Sequence, residues 1–334
     1  MGPLRNQFAT DDLAAIVIGR NEGERLLRCL DSLSQASLRI YVDSGSGDGS
    51  VAQAQARGVE VVCLDMEQPF TAARARNAGL ARLHEIAPGI PFVQMVDGDC
   101  EIRAGWLEQA QAFLEAHPEI AVVCGRRRER APEASPYNAH CDREWDTPVG
   151  EARACGGDAL MRVAALAEVG GYDASLIAGE EPEMCVRLRQ AGWRIWRLEA
   201  EMTWHDAAMT RLGQFWKRAR RAGHAYAEGA HLHGRAPLRH NVAPMRRALV
   251  WGAGLPLAIV LAALVVSPWC LLGALAYPVQ VLRLGLRARA RLGARQAGAH
   301  AALLTLGKFP EALGIVEFHL RRLSGHRAGL IEYK

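Results

Sequence analysis

Several things are missing from this 334-residue sequence, and each absence narrows what it can be. The stretch from Met1 to Asp12 holds no apolar run, so it does not read as a secretory signal, and the following part of the chain is expected in the cytoplasm. No C-x-x-C pair occurs among the eight cysteines, several of which fall in apolar stretches; they read as reduced, buried thiols rather than a disulfide framework. No internal repeat is evident. Forty basic residues nearly balance 36 acidic ones, and a formal net charge of +4 gives no reason to expect a nucleic-acid partner. Acidic residues thin out beyond about residue 206, while arginine dominates from Arg211 onward. That asymmetry suits a C-terminal third facing anionic lipid or phosphate, with a solvated basic face as the plain alternative.

What is present is a chain of ordinary globular composition, 50% hydrophobic and 23% charged, long enough for one large domain plus an appendage or for two domains. Short apolar runs at Ala14 to Ile18, Arg39 to Val42, Val59 to Leu64, Phe92 to Val96 and Ile120 to Cys124 predict buried strands. Helical patterns at Glu22 to Ser34, Ser50 to Arg57, Ala72 to Leu83 and Trp106 to His117 fall between them, so the fold class is α/β with a parallel sheet. In such open sheets ligands bind beyond the carboxyl ends of the strands. Four of those ends are chemically loaded: Gly19-Arg20-Asn21-Glu22, the segment from Asp43 to Ser50, Asp97-Gly98-Asp99, and Trp204-His205-Asp206 after a later strand-like run.

From Ala248 to Leu282 about 35 residues carry no charge, more than the roughly 20 a helix needs to cross a bilayer. Pro256, Pro268 and Pro278 interrupt the run; Arg246 and Arg247 precede it, and Arg283, Arg287, Arg289 and Arg291 follow. The positive-inside rule puts both ends on the cytoplasmic side, as a helical hairpin or a re-entrant pair turning near Pro268. The stretch from Ala297 to Leu323, broken at Pro310, suits an amphipathic helix on the membrane interface or one packed against the rest of the chain.

Asp97 and Asp99 flank a glycine after a strand, so both carboxylates can turn toward one hard divalent cation and its phosphates. An EF-hand reading fails because Ile102 stands where that loop requires glycine. Asp43 can accept hydrogen bonds from a base or ribose; the turn after it reads equally as a capped helix start at Asp48 or Ser50. Its glycines do not form G-x-G-x-x-G after the first strand, which disfavours a dinucleotide dehydrogenase. Arg74, Arg76 and Asn77 lie on a helix from near Thr71, where a phosphate or sugar could rest, although exposed arginines are the ordinary alternative. Gly156-Gly157-Asp158 permits close backbone approach to a ligand, or is a simple turn. Glu180-Glu181-Pro182-Glu183 opens a helix, and a carboxylate there can take a proton from an acceptor hydroxyl. His205 is a candidate metal ligand, though a lone histidine is more often structural. Arg211, Lys217, Arg218, Arg220 and Arg221, among aromatic residues on one helix, can meet a diphosphate or lipid headgroups, or simply be solvated.

Taken in order, the segment from Leu13 to Gly229 resembles family-2 glycosyltransferases of the GT-A fold. The resemblance rests on Arg20-Asn21-Glu22 after the first strand, the block from Val42 to Ser50, Ala75-Arg76-Asn77-Ala78-Gly79, Asp97-Gly98-Asp99, Gly156-Gly157, Val169-Gly170-Gly171-Tyr172-Asp173 and the acidic Glu180-Glu181 motif. It implies a Rossmann-like mixed sheet followed by a C-terminal helical, membrane-associated region. The expected division is a catalytic domain over 1–235, hydrophobic helices over 236–295 and an amphipathic tail over 296–334. The implied activity is inverting transfer of a sugar from a nucleoside diphosphate sugar, often a UDP-sugar; the apolar segment then points to a lipid-linked or polysaccharide acceptor at the cytoplasmic face of the inner membrane.

By the same resemblance Asp43 contacts the base and Asp97 the ribose or sugar, while Asp99 and His205, with Asp97, hold Mg²⁺ or Mn²⁺. Glu181 is the base, with Glu180 as the alternative, since glutamate replaces the common aspartate. Gly19, Arg20, Asn21, Glu22, Arg76, Asn77, Gly98, Gly157, Asp158, Arg218 and Arg221 complete the donor site. Asp158 stands where asparagine is frequent. Gln214 and Arg218 resemble part of the Q-x-x-R-W of processive synthases, but Ala219 replaces the tryptophan, which disfavours processive polymerisation. The competing expectations are a nucleotidyltransferase, for which the first strand lacks a basic glycine-rich loop, and a nucleotide-sugar-binding scaffold without turnover.

Overall fold

The computed structural model describes residues 10–324. Residues 1–9 and 325–334, which carry most of the polar N-terminus and the end of the expected tail, lie outside the described residues. The chain divides into two compact units. The first runs to Arg130 and resumes over Asp142–Ala207; the second takes Ala131–Cys141 and everything from Ala208 on. The sequence-based boundary near residue 235 falls inside the second unit.

In the first unit nine strands form one sheet: β1 (Thr10–Gly19), β2 (Ala36–Asp43), β3 (Glu60–Cys63), β4 (Phe92–Asp97), β5 (Cys100–Ile102), β6 (Ile120–Glu129), β7 (Gly150–Ala152), β8 (Ala159–Arg162) and β9 (Arg194–His205). The order is β3-β2-β1-β4-β8-β6-β9-β5, with β7 also paired to β9. The five apolar runs in the sequence are β1 to β4 and β6. β3, β2, β1 and β4 lie parallel, joined by the helices Glu24–Ser32, Ser50–Ala56 and Ala72–Ile86. β1 is apolar and buried throughout Leu13–Ile18, and β4 is buried from Phe92 to Val96 with Gln94 its one polar side chain there, because both faces of these strands are covered, so their residues do not alternate. β8 enters antiparallel between β4 and β6. The five strands expected from the sequence, β1 to β4 and β6, thus share one direction, with β9 parallel to β6, and the antiparallel β8 makes the sheet mixed, as the family resemblance implies.

Register decides where the strands end. Gly19 pairs with Asp43 and Ile18 with Asp97, so β1, β2 and β4 stop together and bring their last residues to one edge. The three-residue strand β5 runs antiparallel along the end of β9, which places Cys100 opposite His205. Leu13, Ile16, Ile40 and Met95 are fully buried beneath this edge, each stabilising the unit by roughly 1.5–3 kcal/mol. Trp106 is buried too, and its indole N–H donates to Gln94 Oε1 at 2.9 Å, so this core polar pair is satisfied.

The second unit is helical. Leu212–His233 begins where Gln214 Oε1 accepts from the backbone of Thr210 and Arg211. Lys308–Leu323 packs across it so closely that a Cβ on Gly223 would stand 1.9 Å from the Glu311 carbonyl oxygen, and one on Gly314 2.0 Å from that of Arg220. Between them lie two helices long and apolar enough to cross a bilayer, Val242–Val265 and Pro268–Leu292. They are separated at Val266 and Ser267, where the Ser267 hydroxyl accepts from the Trp269 N–H. A π-helical turn at Val250–Gly254 precedes Pro256, and the Trp251 carbonyl there accepts from Tyr277 O–H at 2.7 Å on the other apolar helix. Leu264, Val265, Val266 and Trp269 are each more than three-quarters exposed. The segment Ala131–Cys141 joins this unit through particular contacts: Asn138 Oδ1 accepts from Met209 N at 3.0 Å, Tyr137 stacks on Phe215, and His140 meets His300 at 2.9 Å.

Candidate active site

The loops after β1 and β2 lock onto each other. Asn21 donates its backbone N–H to Ser46 Oγ at 2.9 Å and accepts from Gly47 N at 2.8 Å, while Asp48 Oδ2 accepts from Gly23 N at 2.9 Å. Asp48 also accepts from Ser50 N and Oγ, which steadies the first turn of the helix Ser50–Ala56. Asp43 is buried and takes bonds from the Tyr41 hydroxyl at 2.8 Å and from Gly45 N and Ser46 N at 2.9 Å each. Its carboxylate thus shapes the turn that follows β2. Arg20 lies over the Phe70 ring at 4.8 Å, and Glu22 pairs with Arg25 at 2.8 Å. Gly98 N donates to Ile18 O at 2.8 Å, tying the ends of β1 and β4 together.

Arg76 is the hub of the site. It sits on the helix Ala72–Ile86, opened by Thr71 as N-cap, and is 2% exposed. One terminal nitrogen reaches Glu180 at 2.8 Å and Glu181 at 2.9 Å; the other reaches Asp97 Oδ1 at 2.8 Å. A buried guanidinium with three carboxylates is stable only because its planar fork offers separate donors in fixed directions. The second Asp97 oxygen takes Arg127 at 3.1 Å. Burial works against the charge of Asp97, but Arg76 and Arg127 more than offset it and hold the carboxyl well below the ordinary carboxylate range. Gly157 is required here: any Cβ would meet Asp97 Oδ2 at 2.7 Å and Arg76 at 2.8 Å.

Asp158 is fully buried and satisfied from within. It accepts from Asp97 N at 3.1 Å, Arg127 Nε at 2.8 Å and the Thr203 hydroxyl at 2.9 Å. Asn77 spends its amide on the backbone of Tyr172, donating to O at 2.7 Å and accepting from N at 2.9 Å. Both hold Asp97, Arg127 and the Gly171-Tyr172 turn in place, and their polar atoms face protein. Arg218 and Arg221 lie on Leu212–His233, in the second unit rather than on the sheet that carries the others.

Asp99 and His205 meet. His205 Nε2 is 3.5 Å from Asp99 Oδ2, and its Nδ1 is 3.5 Å from Glu129 Oε2, which also accepts from Ala207 N at 3.0 Å. Trp145 stands edge-on to the imidazole at 4.7 Å. Burial lowers the proton affinity of His205, and the bond to Glu129 pulls the other way without reversing it, so the ring is neutral near pH 7. A neutral ring donating Nδ1–H to Glu129 leaves Nε2 and Asp99 Oδ2 as two acceptors at 3.5 Å. That is the spacing of neighbouring ligands around one cation, and a carboxylate behind a ligating histidine is the usual means of fixing its tautomer. The donor set therefore fits a divalent ion. Asp97 does not share this group; its convergent partners are Cys100 and Asp158.

Glu181 is the second residue of the helix Glu180–Gln190, with its side chain 13% exposed. Burial, then the neighbouring Glu180 charge, push its pKa up to about 7 against the pull of Arg76. That is the range in which a carboxylate works as a general base near neutrality. Sequence reasoning missed Arg127, Glu129 and Thr203. The signal for the first two was their spacing of two on strand β6, which turns both side chains to one face; it was masked by Arg126 and Arg128, which turn to Asp142 and Glu201 on the other.

Residues 14–168 match the family described as "Glycosyl transferase family 2". Over 211 residues the chain is 26% identical to the pre-mycofactocin glycosyltransferase of Mycobacterium tuberculosis, covering 58% of this chain and 43% of that protein. It is 30% identical over 178 residues to the succinoglycan biosynthesis protein ExoA of Rhizobium meliloti, covering 49% of this chain and 53% of the relative. The chain thus spans about half the length of these curated relatives or less. Among solved structures, the mannosyltransferase PcManGT from Pyrobaculum calidifontis, in complex with GDP-Man and Mn²⁺, superposes with a TM-score of 0.59 at 19% identity. That match covers 88% of this chain and 87% of the other, and it identifies the fold as GT-A.

Proposed function

We propose, since residues 14–168 match glycosyl transferase family 2, that the chain transfers a sugar from a nucleoside diphosphate sugar to a glycan or lipid-linked acceptor with inversion at the anomeric carbon. The observation that carries the reading is the pairing of two sites at the carboxyl edge of one sheet: the Asp99–His205 ligand pair and Glu181, poised near neutrality on Arg76. The nucleotide lies over the clasped β1 and β2 loops, with Asp43 shaping the pocket for the base and Asp97 toward the ribose or sugar. Asp99 and His205 hold Mg²⁺ or Mn²⁺, and Glu129 fixes the tautomer of His205. Bound there, the ion neutralises the charge that develops on the departing diphosphate.

Glu181 accepts the proton of the acceptor hydroxyl as that oxygen attacks the anomeric carbon and the bond to the diphosphate breaks. Arg76 keeps this carboxylate aimed, and burial, together with the Glu180 charge, keeps its pKa high enough to accept a proton. The role of ExoA's namesake process supports a polysaccharide acceptor, and the two apolar helices support attachment to the cytoplasmic face of the inner membrane. A screen of nucleotide sugars by thermal shift with Mn²⁺ tests the reading, with UDP-sugars first and GDP-mannose beside them. One donor is expected to raise the wild-type Tm in a metal-dependent way and to leave Asp99→Ala unmoved. If no donor shifts the wild type and none releases nucleoside diphosphate with detergent and acceptor present, the assignment fails.

A further inference from the structure

The ligand pair has a third neighbour that the hard-cation reading does not use. Cys100 follows Asp99 directly and stands opposite His205 in the antiparallel β5–β9 ladder, so the two side chains share one face. Its sulfur lies 3.6 Å from Asp99 Oδ1, and ligand atoms of Asp99, Cys100 and His205 all fall within 4.8 Å of one another, all three residues being buried. Around tetrahedral zinc, with Zn–N and Zn–O near 2.0 Å and Zn–S near 2.3 Å, neighbouring ligands are separated by about 3.3 Å between nitrogen and oxygen and about 3.5 Å between sulfur and oxygen. The observed contacts, 3.5 Å from His205 Nε2 to Asp99 Oδ2 and 3.6 Å from Cys100 Sγ to Asp99 Oδ1, lie near those edges, one on each oxygen of the carboxylate. Arg127 donates to the same sulfur at 3.4 Å, setting a positive charge beside it.

We propose that Cys100 is a third ligand in this shell, making an oxygen, nitrogen and sulfur set that holds Zn²⁺ or Co²⁺ more tightly than it holds Mg²⁺ or Mn²⁺. A buried thiol beside hard oxygen ligands biases a site toward softer divalent ions, because thiolate is a strong ligand for zinc and cobalt and a poor one for magnesium and manganese. The sulfur releases its proton to solvent on taking the metal. Thiophilic ions therefore compete for the place that Mn²⁺ would occupy. The inference rests on the reading of Asp99 and His205 as cation ligands, and its test separates the two.

Full-length protein is titrated under anaerobic conditions with Co²⁺ and, in parallel, with Zn²⁺ and Mn²⁺, as wild type, Cys100→Ser and Asp99→Ala. Wild type is expected to show visible cobalt d–d bands together with a near-ultraviolet sulfur-to-cobalt charge-transfer band. Cys100→Ser is expected to keep the visible bands, lose the charge-transfer band and bind Zn²⁺ about tenfold or more weakly. Its Mn²⁺ affinity should stay within about twofold of wild type, which also shows that the variant is folded. Cobalt bands without charge transfer in the wild type, or unchanged Zn²⁺ affinity in Cys100→Ser, overturn the role of Cys100 and leave the Asp99–His205 site standing. Absence of any cation binding by the wild type overturns both.

Discussion

Glu181 and Asp97 share one cation, Arg76, and this sets what each does with pH. A carboxyl whose pKa is raised to about 7 is half protonated there, so its base form grows as pH rises through that value. The kcat/KM of the wild type is therefore expected to climb between about pH 6 and pH 8 with an acid limb near 7, read from initial rates with the identified donor. Glu181→Gln should lose at least about a hundredfold in kcat and show no such limb. A limb unchanged in the Gln variant would assign the titration to another group. Substitutions at Asp97 are felt at the base as well: Asp97 adds negative charge that raises the Glu181 pKa, and its loss frees Arg76 for the remaining glutamates. The acid limb of Asp97→Asn should accordingly move to lower pH.

At the scale of elements, strands and ligating ends were legible because parallel strands buried on both faces read as unbroken apolar runs, and ligand loops follow them. β1 to β4 and β6, the helix opening at Glu180 and the break beside Pro268 all lie where the sequence put them. β5, β7 and β8 span only three or four residues each, too few for a period to show, and it was the family resemblance, not the periodicity, that implied the mixed sheet which β8 makes. The candidate site was legible in its charged tips and not in its supports. Nothing local marks Glu129 as the partner of a histidine 76 residues away. The crossing of Leu212–His233 with Lys308–Leu323 was equally hidden, since a glycine reveals a close approach only when its neighbour is known. Gly314→Val would drive a side chain into the Arg220 carbonyl. It should cost about 1–3 kcal/mol or more, seen as a lower Tm, while Gly298→Ala, with open space around it, should move Tm little.

Across the whole molecule, the apolar helices Val242–Val265 and Pro268–Leu292 carry most of the large exposed hydrophobic residues, and arginines cluster at the outer end of each. Expressed protein should float with vesicles containing anionic lipid and resist an alkaline wash; recovery in the soluble fraction without detergent would count against attachment. The division of the chain bears on any attempt to study catalysis without the two apolar helices. Ala131–Cys141 is enclosed in sequence by the first unit yet finds its partners, Met209, Phe215 and His300, beyond the end of that unit at Ala207. Scissors placed after Ala207 would leave that loop as an orphan, sticky and unsupported. A fragment ending after His233 keeps Met209 and Phe215 and should be recovered at higher yield and melt later. A single cut cannot part what the chain has stitched through twice.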